Sequence, residues 1–380
     1  MILGLLFLLG CLFALTAIHP YVTYPMTLRL MTPITKGAAL GGPRRSIAIC
    51  MCAFNEERVI VAKVESMLRM AANYGPATVH VFVDAASDRT AELLAPYADR
   101  IDLIVSPVRS GKTAGMNMLV GRVSADLVAC TDANVRTDDD ALVRLTAALD
   151  DPTIACASAR LVYENAADSG ASAAGAAYWT LEEWVKALES RTISLIGVDG
   201  ALFVIERTAY RATPPHLIDD LCVSLNVLID GRRVVSCPDV LVSERSAVSW
   251  QEEFRRKRRI ACQAINVHRA MWPKLASLPP AKLYGYISHR LLKSLIPFSL
   301  AASGLCFWAL LADFVGTPAA LALVVAGAVL LVLGALLGVR VMRLAVGGGM
   351  ALLGVGSGVL EALILNRTYT VWTPAASVRD

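Results

Sequence analysis

Three absences narrow the chemistry. The nine cysteines form no CxxC pair and the five histidines are dispersed, which argues against a zinc site and against a disulfide framework. Cys50 and Cys52 fall in an apolar run where alternate residues share a face, the pattern of small buried hydrophobes kept reduced. No GxGxxG follows the first strand-like run, as a dinucleotide-dependent oxidoreductase would need. Arg109-Ser110-Gly111-Lys112-Thr113 fails as a Walker A loop, because Ser106 stands where the glycine five residues before Gly111 should be. Charge of one sign is also scarce. The 36 basic and 32 acidic residues leave a net charge of +4, with no basic stripe interleaved by aromatics, so no nucleic-acid partner is expected.

What the chain has in excess is apolar residues, 56% of the total, gathered at its two ends. Residues 1–18 form an uncharged apolar run with no basic residue before it, the pattern of an uncleaved anchor. Three more runs, 291–314, 318–339 and 344–365, are long enough to span a bilayer. Arg29, Lys36, Arg44 and Arg45 follow the first run, Arg340 and Arg343 flank a later link, and the loop at Asp313 carries no cation. By the positive-inside rule the middle of the chain is cytoplasmic and the Asp313 loop lies outside. The expected organisation is an anchor (1–20), a cytoplasmic domain (44–275), an interfacial segment (276–290), about three further membrane helices (291–366) and a tail (367–380). Such a protein sits in the cell's inner (plasma) membrane, among membrane lipids. The last run is glycine-rich at Gly347–Gly349, Gly354, Gly356 and Gly358, which fits either close helix packing or a segment that does not cross. Glu361 near its end needs the interface or a partner.

The middle alternates strand-like and helix-like stretches. Strands are expected at 46–53, 79–84, 101–106, 127–132 and 154–161, with helices between them, including one over 57–72. This order predicts an α/β domain with a mostly parallel sheet. The Ala/Gly/Ser-rich stretch 166–177 reads as a mobile loop. Ligands of open α/β sheets bind beyond the carboxyl ends of strands, and polar groups follow an apolar strand at 53–57, 84–90, 106–112 and 132–134.

Each group admits a structural and a functional reading. Ala53, Asn55 and Glu57 could hold a nucleoside, or Asn55 could cap a helix with an acidic first turn. Asp84 is placed to accept hydrogen bonds from a base or ribose, while Ser87 or Asp88 caps the next helix. Lys112 opens a helix and suits a diphosphate. Asp132 and Asn134, two oxygen ligands at i and i+2, suit Mg2+ or Mn2+ bridging a diphosphate, or else a turn. Asp219 and Asp220 precede a helix-like run ended by Gly231, and either cap it or supply a general base. Ser249 to Glu252 fits a capping box, opening a helix that bears Arg255-Arg256-Lys257-Arg258-Arg259. Those cations serve a diphosphate or lipid headgroups, or form a solvated cytoplasmic face.

Taken together and in this order, the motifs from about 46 to 297 resemble the inverting family-2 glycosyltransferases with a GT-A fold. The membrane-embedded branch with cellulose, chitin and hyaluronan synthases is the nearest likeness. The resemblance implies a nucleotide-sugar donor, UDP-linked, and a glycan or lipid-linked acceptor. It implies that Asp84 contacts the nucleoside, that Gly111-Lys112 with Asn117 forms the GK-x-x-x-x-N segment, and that Asp132 opens the metal-binding DxD. Gly197-Val198-Asp199-Gly200-Ala201 is similar to the acceptor-side GxxGA stretch, so Asp199 and Gly200 are expected at the acceptor. Asp220 takes the place of the aspartate in TED, the proposed base, with Asp219 beside it. Ser288-His289-Arg290 and the late Trp372-Thr373-Pro374 also look like this branch. Three motifs depart from it: Asn134 replaces the second aspartate of DxD, Asp219 the glutamate of TED, and the Q-x-x-R-W motif falls on Arg256 to Ile260. There Arg259 keeps the basic group, expected at the donor phosphates, and Ile260 replaces the tryptophan that stacks on the acceptor sugar. The rival from another class is a non-catalytic membrane scaffold with a degenerate transferase domain.

Overall fold

The structure is a computed structural model and describes residues 1–35, 43–165 and 170–371. Lys36 and the Trp372-Thr373-Pro374 motif lie outside the described residues. Helix α1 (Ile2–Ile18) has no charged residue and buries only Gly10 and Ala17. After a 3-10 turn, α2 (Thr23–Leu30) turns Tyr24 and Leu28 into the protein. The alternating region follows as β1 (Ile47–Ala53), α3 (Ile60–Tyr74), β2 (Ala77–Asp84), α4 (Thr90–Leu94), β3 (Asp102–Ser106), α5 (Lys112–Arg122), β4 (Leu127–Thr131), β5 (Arg136–Thr137) and α6 (Ala141–Ala148). It continues through β6 (Ile154–Tyr163), α7 (Gly170–Thr192), β7 (Leu202–Glu206), α8 (Asp219–Ile229) and β8 (Arg233–Glu244).

The strands form one sheet in the order β3-β2-β1-β4-β7-β6-β8-β5. Apolar residues on both faces of β1 are the reason it can be central. Ile47, Ile49 and Met51 join one core while Ala48 and Cys50 join the other. The expected mostly parallel α/β architecture is observed: β1 pairs in parallel with β2 and β4, β2 with β3, and β6 with β8. Strands β7 and β8 were not legible in sequence, and β7 runs antiparallel between β4 and β6. That reversal has a functional consequence. Thr131 pairs with Leu202, so the start of β7 arrives where β4 ends. Tyr163 pairs with Glu244, so β8 ends at this edge as well.

The stretch read as a mobile loop is largely helical, because α7 begins at Gly170. Alanine is the best helix former, and α7 buries Val185, Glu182, Lys186 and Glu189 inside the protein. Residues 166–169 lie outside the described residues.

Helix α9 (Trp250–Leu275) starts on the expected cap, with the Ser249 side chain accepting from Glu252 N at 3.2 Å. It is followed by α10 (Pro280–Gly285), a π-helical turn over Tyr286–Leu291, α11 (Leu292–Val315), α12 (Thr317–Leu336) and α13 (Arg340–Leu363). Among the described residues four segments are long and apolar enough to cross a membrane: Ile2–Tyr21, Pro280–Val315, Thr317–Leu336 and Arg340–Leu363. The glycines of α13 mark close packing. Cβ atoms at Gly347, Gly354 and Gly358 would strike Trp250, Phe254 and Arg258 of α9. Glu361 on the same face meets Arg258, Arg367 and the Tyr369 hydroxyl, the partners its burial requires.

Gly358→Leu is therefore expected to destabilise the protein by about 1–3 kcal/mol, read as a lowered thermal midpoint in detergent. Gly348→Ala, which meets open space, should leave the midpoint unchanged or raise it. Equal effects at the two positions would count against the packing.

Candidate active site

The carboxyl ends of β1 and β2, the loops after β3 and β4, the start of α8 and the end of β8 surround one cavity of about 860 Å³. Its walls include Ala53, Phe54, Asp84, Lys112, Asp132, Asn134, Asp219, Asp220, Glu244, Arg259 and Ile260. Most of the expected site residues thus converge, although they lie up to two hundred positions apart in sequence.

At its centre the Lys112 ammonium lies 2.6 Å from Asp132 Oδ1 and 3.9 Å from Asp219 Oδ2. Burial works against the charged lysine, but Asp132, Asp219 and Asp220 outweigh it and hold Lys112 well above the ordinary lysine range. Gly200 forms the backbone beneath this group. A Cβ there would come within 2.7 Å of Lys112 Nζ, 3.2 Å of Asp220 Oδ2 and 3.4 Å of Asp132 Oδ2. A side chain there would push the Lys112 ammonium away from its present position. Asp219 and Asp220 occupy the first turn of α8, where the helix dipole favours acids. Burial, and then the Asp219 charge, push Asp220 up to about 7, with Lys112 pulling the other way. A carboxylate tuned to neutrality inside a cleft is suited to accept a proton.

The donor-side residues divide. Asp84 is buried at the end of β2, and its carboxylate accepts from Ser110 N at 2.7 Å and Gly111 N at 2.8 Å. It anchors the loop that carries Lys112 while still lining the cavity. Asn55 and Glu57 do not line it. Asn55, at φ 55, accepts from Ser87 N at 2.8 Å, and Glu57 accepts from Arg89 N at 3.1 Å. Both stitch the loop after β1 to the loop after β2, so neither faces a nucleoside here. Neither caps α3, which begins only at Ile60. Phe54 and Arg109, not singled out from sequence, face the cavity instead, with the guanidinium 3.0 Å from the ring centroid. Arg259 lines the opposite wall, bonded to Gln263 at 3.1 Å and lowered to about 10 by burial and by the neighbouring Arg256 charge.

On the metal side, Asn134 donates to Glu244 Oε2 at 3.3 Å. Burial raises Glu244 to about 7, Arg256 pulls it down, and Asp132 and Asp199 push it up. Glu244 went unnoticed because β8, which delivers it, was itself unseen. Among the described residues no group of three His, Cys, Asp or Glu side chains could enclose a metal. Asp132 and Asn134 offer hard oxygen donors, which fit a Mg2+ or Mn2+ that takes its remaining ligands from phosphate and water, as these ions commonly do.

Asp199 stands apart from the cavity. Its carboxylate pairs with Lys186 at 2.5 Å, which also meets Glu183, so α7 claims it as an ion-pair partner. Of the residues expected at the acceptor, Asp219 and Ile260 line the cavity, Gly200 lies against the Lys112 and Asp220 side chains, and the Asp199 side chain is directed to Lys186. Asn117 is structural too. It accepts from Tyr210 OH and Thr213 N, both at 3.1 Å, and so fixes the loop leading to Asp219. Arg290 donates to Ile196 O and, at 2.7 Å, to Gly197 O, tying the start of α11 to the loop that presents Gly200.

The sequence profile described as "Glycosyltransferase like family 2" matches residues 43–263. That is more than half of the chain, and the protein belongs to this family. No protein of curated function matches it. Among solved structures, the mannosyltransferase PcManGT from Pyrobaculum calidifontis, in complex with GDP-Man and Mn2+, is similar with a TM-score of 0.71 and 18% identity. The match covers 93% of this chain and 99% of that one, so the shared fold takes in the apolar helices as well as the GT-A sheet domain. Glucosyl-3-phosphoglycerate synthase from Mycobacterium tuberculosis, with Mn2+ and UDP-glucose, matches at a TM-score of 0.42 and 14% identity, over 59% of this chain and 79% of that one.

The charge arrangement sets a pH dependence. If the Asp220 carboxylate accepts the proton, the rate should rise with pH and level off above about 7. Removing the neighbouring charge with Asp219→Asn should move that rise to lower pH. Asp220→Asn should lower the rate by at least about 100-fold and abolish the rise, with donor binding retained. A wild-type rate that is flat through neutrality contradicts the assignment.

Proposed function

We propose that this family-2 protein transfers a sugar, with inversion, from a nucleoside diphosphate sugar to a hydroxyl of a glycan or lipid-linked acceptor. The observation that carries this reading is the convergence of Lys112, Asp132, Asp219 and Asp220 around Gly200 at the carboxyl edge of the sheet. Asp220 takes the proton from the acceptor hydroxyl. The resulting oxygen attacks the anomeric carbon from the far face, and the bond to the diphosphate oxygen breaks. Lys112 and Arg259 meet the negative charge that grows on the departing nucleoside diphosphate. A divalent cation held by Asp132 and Asn134 would supply further charge neutralisation there.

Asp84 keeps the Lys112 loop in place, and Phe54 with Arg109 forms the wall beside it, where the nucleoside belongs. The resemblance favours a UDP-linked donor. Ile260 lines the cavity where the synthase branch has tryptophan. A branched aliphatic side chain offers no ring face for a sugar to stack on, which favours transfer of one sugar over chain extension. Arg29, Arg44, Arg45, Arg340 and Arg343 support a cytoplasmic catalytic domain at the inner membrane, serving surface polysaccharide or glycolipid synthesis.

Purified protein offered a panel of UDP- and GDP-sugars should release nucleoside diphosphate from one donor class. EDTA should abolish the release and Mn2+ or Mg2+ restore it, and Asp132→Asn should lower the release by at least about 100-fold. Absence of release from every donor would instead support a scaffold.

A further inference from the structure

Four helices qualify as membrane spans by length and composition, but the geometry points to three crossings. We propose that α13 does not cross. It lies along the bilayer surface on the catalytic domain's side, with its exposed apolar face against lipid. The proposal rests on the reading above that α11 and α12 span the membrane.

Three independent observations carry it. The first is parity. Helix α11 leaves from the catalytic domain, where Arg290 and His289 hold Gly197 and Glu189. The segment after α13 returns to that same domain. Gln263 donates to Tyr369 O at 3.0 Å, Asn266 donates to Arg367 O at 2.8 Å, and Thr370 packs on Gly111 beside Lys112. Both ends of the stretch therefore lie on one side of the membrane, and an even number of helices between them must cross. Helices α11 and α12 already make two.

The second observation is depth. Helix α13 runs beside α9 from Gly347 against Trp250 to Glu361 against Arg258. A crossing α13 would draw Glu253, Arg255, Arg256, Lys257 and Arg258 into the hydrocarbon, where each charge is strongly disfavoured. The third is position along α11. If α13 crossed, Gly356 would lie about 24 Å from the start of the helix, level with the far half of α11. Gly356 instead packs on Pro297, in the second turn of α11 from the catalytic side.

The residue pattern agrees. Gly347, Gly354, Gly358 and Glu361 share the face that meets α9, while Val341, Leu353, Leu360 and Leu363 are exposed. One face is close-packed on the catalytic domain and the opposite face is apolar and open, as a helix lying on a bilayer surface requires. Its apolar side continues the lipid-facing surface of α11 and α12, where Leu300, Leu305, Leu321 and Leu336 are exposed. Tyr369 and Val371, just beyond it, line the active-site cavity. The cavity is thereby held at the membrane surface, where a lipid-borne acceptor hydroxyl would be presented.

The test uses the full chain with an epitope appended after Asp380 and with Asp313→Cys, in sealed vesicles of both orientations. Antibody should reach the epitope from the side on which protease cleaves the catalytic domain. A membrane-impermeant maleimide, mapped by mass spectrometry, should modify Cys at 313 only from the other side. An epitope reached only from the side that labels position 313 means that α13 crosses and overturns the proposal. Labelling of position 313 from the catalytic side means that α11 and α12 do not span, which overturns the membrane reading and the proposal with it. Retained donor hydrolysis shows that the tagged variant is folded.

Discussion

One buried ammonium faces three carboxylates at the end of the sheet, and much of the molecule follows from that imbalance. Lys112 can neutralise only one of Asp132, Asp219 and Asp220. The remaining negative charge must be met by protons, by a cation or by separation. Burial first, and the Asp219 charge second, hold the Asp220 proton to about neutrality. Asp132 and Asn134 are left as open oxygen donors, and the helix dipole of α8 offsets part of the remainder. Arg109 and Arg259 line the same cavity and would meet part of a bound diphosphate's charge, and a divalent cation would meet more of it. On the proposed reading the same residues would serve substrate recognition, metal binding and proton transfer.

The scaffold exists to bring these charges to one edge. Parallel pairing of β1, β2, β3 and β4 sends four loops the same way, and the reversal at β7 brings Gly200 back to meet them. Asp84 and Asn117 spend their hydrogen bonds on the loops that carry Lys112 and Asp219. Arg290, in the π-helical turn just before α11, donates to Gly197 O and so holds the Gly200 loop. Helix α13, close-packed on α9 through its glycines, directs the following segment to the cavity wall. The long apolar helices and the shape of the cavity are consequently parts of one structure.

Most of the sheet and its catalytic edge were legible in the sequence, since apolar strands followed at once by polar groups give a local signal. Asp132 and Lys112 were readable for that reason, and Asp220 because paired carboxylates precede a helix-like run. Asn55 and Glu57 carry the same signal, and Asp199 is named by the resemblance alone, but these side chains hydrogen-bond or ion-pair with the protein itself, and a side chain that stitches two loops or pairs with a helix has the same composition as one that binds a ligand. Asp199 meets Lys186 of α7 where the chain folds back after that helix, a contact that sequence spacing does not reveal. Glu244, Phe54 and Arg109 were missed for the converse reason. Strand β8 mixes polar and apolar residues at the edge side of the sheet, and a phenylalanine–arginine stack is a tertiary contact with no local pattern. The alanine-rich start of α7 was misread because small residues suit both loops and helices, and tertiary packing decides between them.

The account stands on Asp220 acting as a base in a single displacement at the anomeric carbon, which fixes the stereochemistry. Proton NMR of the transferred sugar, followed from a donor of known anomeric configuration, reads this directly. The account predicts the opposite configuration in the first product formed. Retention of the donor's configuration would contradict it.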